Sequence, residues 1–147
     1  MADTQAERVW FRLMRLHTRA HAAISDRLRA IGLSVPQCDV LTTLSEREGI
    51  AQQELAARLY VTKGNISGLI DRLAKAGLVE RRQSREDKRS HSLYLTEEGR
   101  RLALQGIAIQ RQFVTDAFGH LDPTLLGELE TSLIAVRDGI RIVSNGK

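Results

Sequence analysis

The chain has 147 residues, of which 42% are hydrophobic and 27% are charged, and it carries a net charge of +4. This length suffices for one domain with a real core, and no apolar run approaches the roughly 20 residues that a membrane span requires. A single cysteine excludes an internal disulfide and fits a reducing compartment, so we expect a cytoplasmic protein with a polyanionic partner.

Two helices are predicted in the first third of the chain. Residues 5–30 lack proline and glycine, and one face carries Met14, His17, His21, Ile24 and Leu28 at steps of three and four. A second row, Arg8, Arg12, Arg15 and Arg19, indicates either a solvated polar face or a nucleic-acid contact. Gly32 ends this helix, and the stretch from Ser34 to Pro36 begins the second one.

The next two predicted helices are separated by a very short connection. A third helix runs from about Gln52 to Leu59, and a fourth begins after Thr62, which is a suitable N-cap, and ends near Gly77. The fourth helix buries one face, formed by Ile66, Leu69, Ile70 and Leu73. Two helices joined in this way are typical of a helix-turn-helix.

A charged hairpin is predicted directly after the fourth helix. The strands, Leu78 to Arg82 and Ser92 to Leu95, pair across the segment QSREDKRS. The basic residues of this region crowd into nine positions, namely Arg81, Arg82, Arg85, Lys88 and Arg89. A helix followed by a basic hairpin is the profile of a winged helix-turn-helix, in which the helix enters a major groove and the hairpin lies against the backbone or minor groove.

The last third of the chain is predicted to form two further helices. Thr96 caps one that runs to Phe118, and Asp122 and Pro123 begin the other. The last helix carries an apolar row at regular spacing, Leu126, Leu129, Leu133, Val136, Ile140 and Val143. Such a row either closes the core of a monomer or packs along another helix, and we favour dimerisation.

The predicted fold is therefore mainly α with a small β-hairpin wing. We divide it into an N-terminal dimerisation helix (1–32), a winged helix-turn-helix (33–95) and C-terminal dimerisation helices (96–147).

The sequence resembles the multiple antibiotic resistance regulator (MarR) family of winged-helix transcription factors. The segments that carry the resemblance are LSVPQCDVL, QQELAARLYVTKGNISGLIDRLAKAGLVERR, the run Asp87, Lys88, Arg89, and SLYLTEEGR. The resemblance implies a homodimer that is held by its first and last helices and binds a pseudo-palindromic operator, usually as a repressor. It also implies release of the DNA by a small ligand or an oxidant.

The resemblance also assigns DNA-binding positions in this chain. These are Thr62, Lys63, Gly64, Asn65, Ser67, Arg72, Arg85, Lys88 and Arg89. Asn65 is the candidate base contact because an amide both donates and accepts, and Lys63 is the candidate phosphate contact. Arg89 matches a wing arginine suited to a narrow minor groove, and Asp87 is expected to orient it and hold the wing. Gly68 stands where many members carry a long basic side chain, so either the helix approaches DNA more closely or the site needs a small residue for packing.

A candidate effector pocket is predicted around Met14, His17, His21 and Cys38, for an aromatic or anionic ligand. The two histidines alone cannot complete a zinc site, so neither a metal nor a cofactor is predicted, and packing or pocket-lining roles are favoured. Cys38 is expected to be a small buried hydrophobe rather than a redox switch.

Two other classes of function compete with a transcriptional regulator. The sequence lacks a serine elbow, a phosphate loop, a zinc-protease helix and a paired-cysteine site, so we predict that the protein is not an enzyme. The remaining alternative is a non-specific architectural DNA-binding protein without an effector.

Overall fold

The computed structural model describes residues 4–83, 86–87 and 89–146. Within them lie six helices and one antiparallel hairpin, in agreement with the predicted fold class. The elements are α1 (Gln5–Arg29), α2 (Val35–Glu46), α3 (Gln52–Arg58), α4 (Lys63–Lys75), β1 (Val79–Gln83), β2 (His91–Leu95), α5 (Glu97–Phe118) and α6 (Pro123–Asn145). The predicted DNA contacts Arg85 and Lys88 lie outside the described residues.

Side-chain caps determine where several of the helices begin. Ser34 accepts a hydrogen bond from the Gln37 amide, and Gln37 returns one to the Ser34 amide, which forms a capping box at α2. Thr62 accepts from the Asn65 amide at 3.2 Å and Asp122 accepts from the Thr124 amide at 2.8 Å, so these two predicted N-caps are present. These contacts satisfy amides that have no partner inside a helix.

The hairpin differs slightly from the predicted strands: β1 begins and ends one residue later, and β2 begins one residue earlier and ends at Leu95 as predicted. Its register pairs Val79 with Leu95 and Gln83 with His91. Leu78 is excluded from β1 because its amide bonds the Leu73 carbonyl at the end of α4, in the turn where Gly77 has φ +75°.

The core of the first compact unit, residues 1–111, lies under the hairpin and α2 to α4. Its largest fully buried side chains include Leu28, Leu41, Leu44, Leu55, Ile66, Ile70, Leu73 and Leu93. The loop before α3 joins the hairpin, since the Leu93 amide and carbonyl bond the Ile50 carbonyl and the Gly49 amide. This loop therefore forms one isolated antiparallel bridge beside β2, which pairs Ala51 with Ser92.

Helix α5 approaches this core through two glycines. A Cβ placed on Gly99 would lie 1.9 Å from the Leu78 carbonyl oxygen, and one on Gly106 would lie 2.7 Å from the Cys38 sulfur. Thr96 holds Gly99 close to the turn at the end of α4. Its hydroxyl donates to the Gly77 carbonyl at 2.7 Å and accepts from the Gly99 amide. The start of α5 is therefore held directly against the turn that ends α4.

The second unit, residues 112–147, contains the end of α5 and all of α6. No residue of Pro123–Asn145 is buried, and five members of the predicted apolar row are between 38% and 78% exposed, namely Leu129, Leu133, Val136, Ile140 and Val143. Among the described residues, no helix is both long and apolar enough to cross a membrane.

The Gly99 contact leads to a stability prediction. Gly99→Ala is expected to destabilise the protein by about 1–3 kcal/mol, because the added methyl group meets a backbone carbonyl that cannot rotate away. Urea denaturation measures this change. The matched control is Gly127→Ala in α6, where a Cβ meets nothing within 4 Å, and it should stabilise by about 0.5–1 kcal/mol. Equal effects of the two substitutions would contradict the assigned packing.

Candidate nucleic-acid interface

The outer face of α4 carries most of the predicted DNA contacts. Lys63, Gly64, Asn65 and Arg72 are exposed, whereas Ser67 is half-buried. The opposite face is buried, as predicted from its spacing. This burial orients the polar face outward, so four of these predicted contacts lie on one accessible surface. Thr62 is also exposed, but its hydroxyl oxygen accepts the hydrogen bond that caps the helix.

Gly68 lies beneath the side chain of Arg72. A Cβ at Gly68 would lie 3.8 Å from a terminal guanidinium nitrogen of Arg72, and no closer contact exists outside the backbone of its own helix. Ordinary van der Waals contact at this distance means that packing does not require a glycine here. The guanidinium of Arg72, one turn further on, covers the place where a side chain at position 68 would begin.

Arg81 on β1 joins the hairpin to both helices of the helix-turn-helix. Its Nε donates to Oε1 of Gln52 on α3 at 3.0 Å, and one terminal nitrogen donates to the Ser67 carbonyl on α4 at 3.1 Å. The other terminal nitrogen pairs with the carboxylate of Asp71 on α4. The Arg81 side chain is only 25% exposed, so these bonds are partly shielded from water. Sequence reasoning had counted Arg81 only as part of a basic cluster.

A tight turn shapes the wing, which we define as the hairpin and the segment that joins its strands. The Asp87 carboxylate accepts a hydrogen bond from the Arg89 amide at 2.9 Å, and its carbonyl accepts one from the Ser90 amide at 3.0 Å. Asp87 therefore holds the backbone that leads into β2. Arg89 itself is exposed.

Arg82 is also engaged within the hairpin. Its guanidinium carbon lies 3.9 Å from the ring centroid of Tyr94 on β2, and a terminal nitrogen lies 3.3 Å from the Glu80 carboxylate. A guanidinium over an aromatic face gains electrostatic attraction from the ring. Arg82 thus contributes to pairing of the strands.

Tyr60 is a feature of the site that sequence reasoning passed over. It occupies the turn between α3 and α4 with φ +54°, which is rare for a bulky residue, and the residue is 96% exposed. A large exposed aromatic ring in a strained turn beside the start of α4 is a candidate functional residue. The position of Tyr60 in the sequence carries the signal that could have found it. The short turn between α3 and α4 needs a residue in the left-handed conformation and contains no glycine, so another residue must adopt it.

The four residues of the candidate effector pocket fall into two environments. Met14, His17 and His21 are exposed on α1, whereas Cys38 is fully buried in the core. Burial raises the pKa of the Cys38 thiol to about 11, with a smaller contribution from the charge of Asp39. Burial also raises the pKa of Asp39, and the nearby His21 opposes that shift. His21 on α1 and Asp39 on α2 are therefore electrostatic neighbours, whereas Cys38 is protonated and shielded.

The described ranges, 4–83, 86–87 and 89–146, contain no group of three or more His, Cys, Asp or Glu side chains that could hold a metal ion. The rings of His17 and His21 lie 6.3 Å apart between centroids.

The exposed face of α4, the short turn after α3 and the adjoining hairpin define a winged helix-turn-helix, which is a DNA-binding class of domain. A sequence model of the MarR family matches residues 33–91. An HTH-type transcriptional regulator of Bacillus cereus strain ZK / E33L is 30% identical over 135 residues, which cover 89% of this chain and 90% of that protein. The chain therefore belongs to the MarR family of DNA-binding transcriptional regulators and is not an enzyme.

Solved structures agree with this assignment. AbsC, a MarR family regulator from Streptomyces coelicolor, is 26% identical with a TM-score of 0.85, and the match covers 96% of this chain and 98% of AbsC. CouR from Rhodococcus jostii RHA1, solved with p-coumaroyl-CoA bound, is 28% identical with a TM-score of 0.78, and the match covers 92% of this chain and 95% of CouR.

The contacts of Arg81 lead to a second stability prediction. Arg81→Met should lower the free energy of unfolding by about 1.5–3 kcal/mol, because it removes hydrogen bonds of a charged, mostly buried group. Chemical denaturation measures the loss. Arg82→Met is the control, since its exposed ion pair and ring contact should together cost only about 1 kcal/mol. If the Arg82 variant lost more stability than the Arg81 variant, the joining role of Arg81 would be wrong.

Proposed function

We propose that this protein is a sequence-specific, ligand-responsive repressor that binds a pseudo-palindromic operator as a homodimer in the cytoplasm. The observation that carries the proposal is the exposed start of α4, which presents Lys63, Gly64 and Asn65 beside a basic wing. Residues 33–95 bind the DNA, and residues 1–32 and 96–147 form the dimer.

The roles of the DNA-binding residues follow from their chemistry and exposure. Asn65 reads a base edge, because its exposed amide both donates and accepts. Lys63 and the backbone at Gly64 meet phosphate near the positive end of α4. Thr62 and Ser67 border this surface, and Arg72 adds a guanidinium over Gly68. Tyr60 joins the set from the preceding turn, and Arg85, Lys88 and Arg89 supply the positive charge of the wing.

Dimerisation is supported by unpartnered apolar surface on both terminal helices. On α1, Val9, Trp10 and Phe11 are each about half exposed, and the apolar row of α6 is exposed along its length. Apolar rows at helical spacing are buried when helices pack along one another. A second copy of the chain is the partner that would cover them, since operators with two-fold symmetry are read by two-fold symmetric proteins.

An effector of aromatic or anionic character is supported by the surface beside α1 and by a relative. CouR was solved with p-coumaroyl-CoA, a ligand that has both characters. In this chain Met14, His17 and His21 offer apolar and hydrogen-bonding groups on one side of α1, next to Asp39 on α2. Cys38 supports this surface from within the core and does not serve as a redox switch.

A comparison of specific and random DNA separates the proposal from its alternative, an architectural protein without sequence preference. Operator sequences can be selected from a random duplex library with the purified protein. A regulator should prefer the selected duplex over random DNA by about 10³-fold or more at physiological salt. An architectural protein would bind both equally, with affinity set by salt alone.

Asn65 and Lys63 provide a matched pair for testing the base contact. Asn65→Ala should relax selectivity at one base position in each half-site by about 1–3 kcal/mol. Lys63→Ala should instead weaken binding to all sequences alike and reduce the salt dependence by about one phosphate contact. Fluorescence anisotropy with a set of single-base operator variants measures both effects. Unchanged selectivity in the Asn65 variant would remove this residue from the base contacts.

The dimer is tested by placing a carboxylate in the apolar row of α6. Leu133→Glu should weaken dimerisation by about 100-fold or more, since an unpaired buried charge costs several kcal/mol. Ile142→Glu is the control, because Ile142 lies on another face of α6 and is 75% exposed. Sedimentation velocity at micromolar concentration should give a monomer for the first variant and a dimer for the second. If both variants sediment like the parent, α6 does not form the interface.

A further inference from the structure

An open groove lies along one side of α1. It is lined by Leu16 and by three cations, Arg12, Arg15 and Arg19, which we call the arginine cluster. All four residues are exposed, and the volume of the groove is about 410 Å³. Small-molecule sites usually measure about 300–1,000 Å³. The groove is therefore large enough for a small organic ligand.

The groove occupies the side of α1 that faces away from the core. Leu28 is fully buried, and Arg19 precedes it by nine residues, which is about two and a half helical turns. Arg19 therefore lies on the side of the helix opposite to the one that packs on the core. Met14, His17 and His21 share the side of Leu28, as their spacing predicts. The groove is thus separate from the effector surface proposed above.

The positive charge of the arginine cluster is not neutralised within the chain. Among residues 4–83, 86–87 and 89–146, no hydrogen bond or ion pair engages its side chains. The two acidic residues of α1 are engaged elsewhere, because Glu7 belongs to the capping box at the start of the helix and Asp26 pairs with Arg29 at 3.3 Å. Like charges three and four residues apart on a helix repel one another. A bound anion would relieve this repulsion.

The spacing of the arginine cluster suits adjacent phosphate groups. Arg12 and Arg19 are seven residues apart, which corresponds to about 10 Å along the helix axis, and Arg15 lies between them. A guanidinium can bond two oxygens of one phosphate at once. A single carboxylate has two oxygens and is satisfied by one guanidinium, whereas a diphosphate presents oxygens to several. The cluster therefore favours a ligand with more than one phosphate group.

Leu16 indicates that the ligand also has an apolar part. It lies four residues after Arg12 and three before Arg19, so it neighbours both of them on the helix surface. Leu16 is 59% exposed, and an organic group that covers it would remove apolar surface from water. The outside of duplex DNA presents charged phosphates rather than an apolar group. Leu16 therefore favours a small organic molecule over a nucleic-acid backbone.

We infer that this groove binds a small organic diphosphate, whose phosphates contact the arginine cluster and whose organic group packs on Leu16. Binding replaces repulsion between three cations by charge-assisted hydrogen bonds. The proposed dimer leaves the groove open, because the apolar residue Trp10 lies nine residues before Arg19 and hence on the opposite side of α1.

The experiment titrates ADP, an organic diphosphate, into the full-length protein without DNA at constant ionic strength. The methyl signals of Leu16, followed by NMR in protein with isotope-labelled leucine, should shift and saturate. Arg15→Gln should weaken ADP binding by about tenfold or more, because it removes charge-assisted hydrogen bonds. Arg29→Gln is the matched control, since it removes the same charge from α1 outside the groove and should change the affinity by less than about twofold. Equal effects of the two substitutions, or no shift at Leu16, would overturn the site.

Inorganic pyrophosphate distinguishes an organic diphosphate from the phosphates alone. Leu16→Ala should weaken ADP binding about fivefold, because the organic group loses its apolar contact. The same substitution should leave the affinity for pyrophosphate unchanged. If Leu16→Ala affected both ligands alike, or neither, the groove would not recognise the organic part and the proposed class of ligand would be wrong.

Two other results would assign the arginine cluster to a different partner and overturn the diphosphate site. The first is an Arg15→Gln variant that binds ADP like the parent but shows a salt dependence of DNA binding reduced by about one phosphate contact. The second is an Arg15→Gln variant that sediments as a monomer while the parent is a dimer, which would place the cluster between two copies of the chain. Because the ADP titration contains no DNA, its failure would leave the proposed function intact.

Discussion

The arrangement of the DNA-binding region depends on the guanidinium of Arg81. This side chain lies on β1 and forms hydrogen bonds with both α3 and α4. Helix α3 has 7 residues and β1 has 5, so neither element can build an extensive packing surface of its own. A hydrogen bond from a charged group contributes about 1.5–3 kcal/mol to the free energy of unfolding. The whole free energy of unfolding of a domain is only about 5–15 kcal/mol. The Arg81 side chain therefore supplies a substantial part of the free energy that holds α4 in its orientation relative to the wing. Because Arg81 also holds the amide of Gln52, this interaction fixes the first residue of α3 as well.

Elements that follow from local chemistry were predicted well from the sequence. Thr62 and Asp122 cap their helices because the partner amide lies two or three residues away, and the buried row of α4 follows from its spacing. The function of Arg81 could not be predicted, since its partners lie 10, 14 and 29 residues away and are set by tertiary packing. The displaced start of β1 has a similar origin, because Leu78 completes the turn that ends α4.

The terminal helices illustrate how a sequence pattern can describe an assembly rather than a single chain. Periodicity of apolar residues predicts burial, and on α4 that burial occurs within the unit. On α6 the periodicity is as regular, yet no residue of Pro123–Asn145 is buried within the chain. A row of leucine, isoleucine and valine side chains left at 38–78% exposure is costly in water, since each buried side chain of this kind contributes about 1.5–3 kcal/mol. The proposed dimer accounts for the pattern without any change in the helix itself.

The positive charge of the wing is divided between folding and binding. Of the five basic residues in the run from Arg81 to Arg89, Arg81 bonds α3 and α4, and Arg82 packs on Tyr94. Affinity for DNA falls with salt according to the number of phosphates that are neutralised, not according to the net charge of the protein. Counting basic residues would therefore overstate the electrostatic contribution of this hairpin. Arg89 differs from both, because its side chain is exposed and its backbone amide is held by the Asp87 carboxylate. Because the turn at Asp87 already fixes the backbone of Arg89, less conformational entropy is lost when this residue meets DNA. Among the described cations of the wing, the proposed DNA binding should therefore depend most on Arg89.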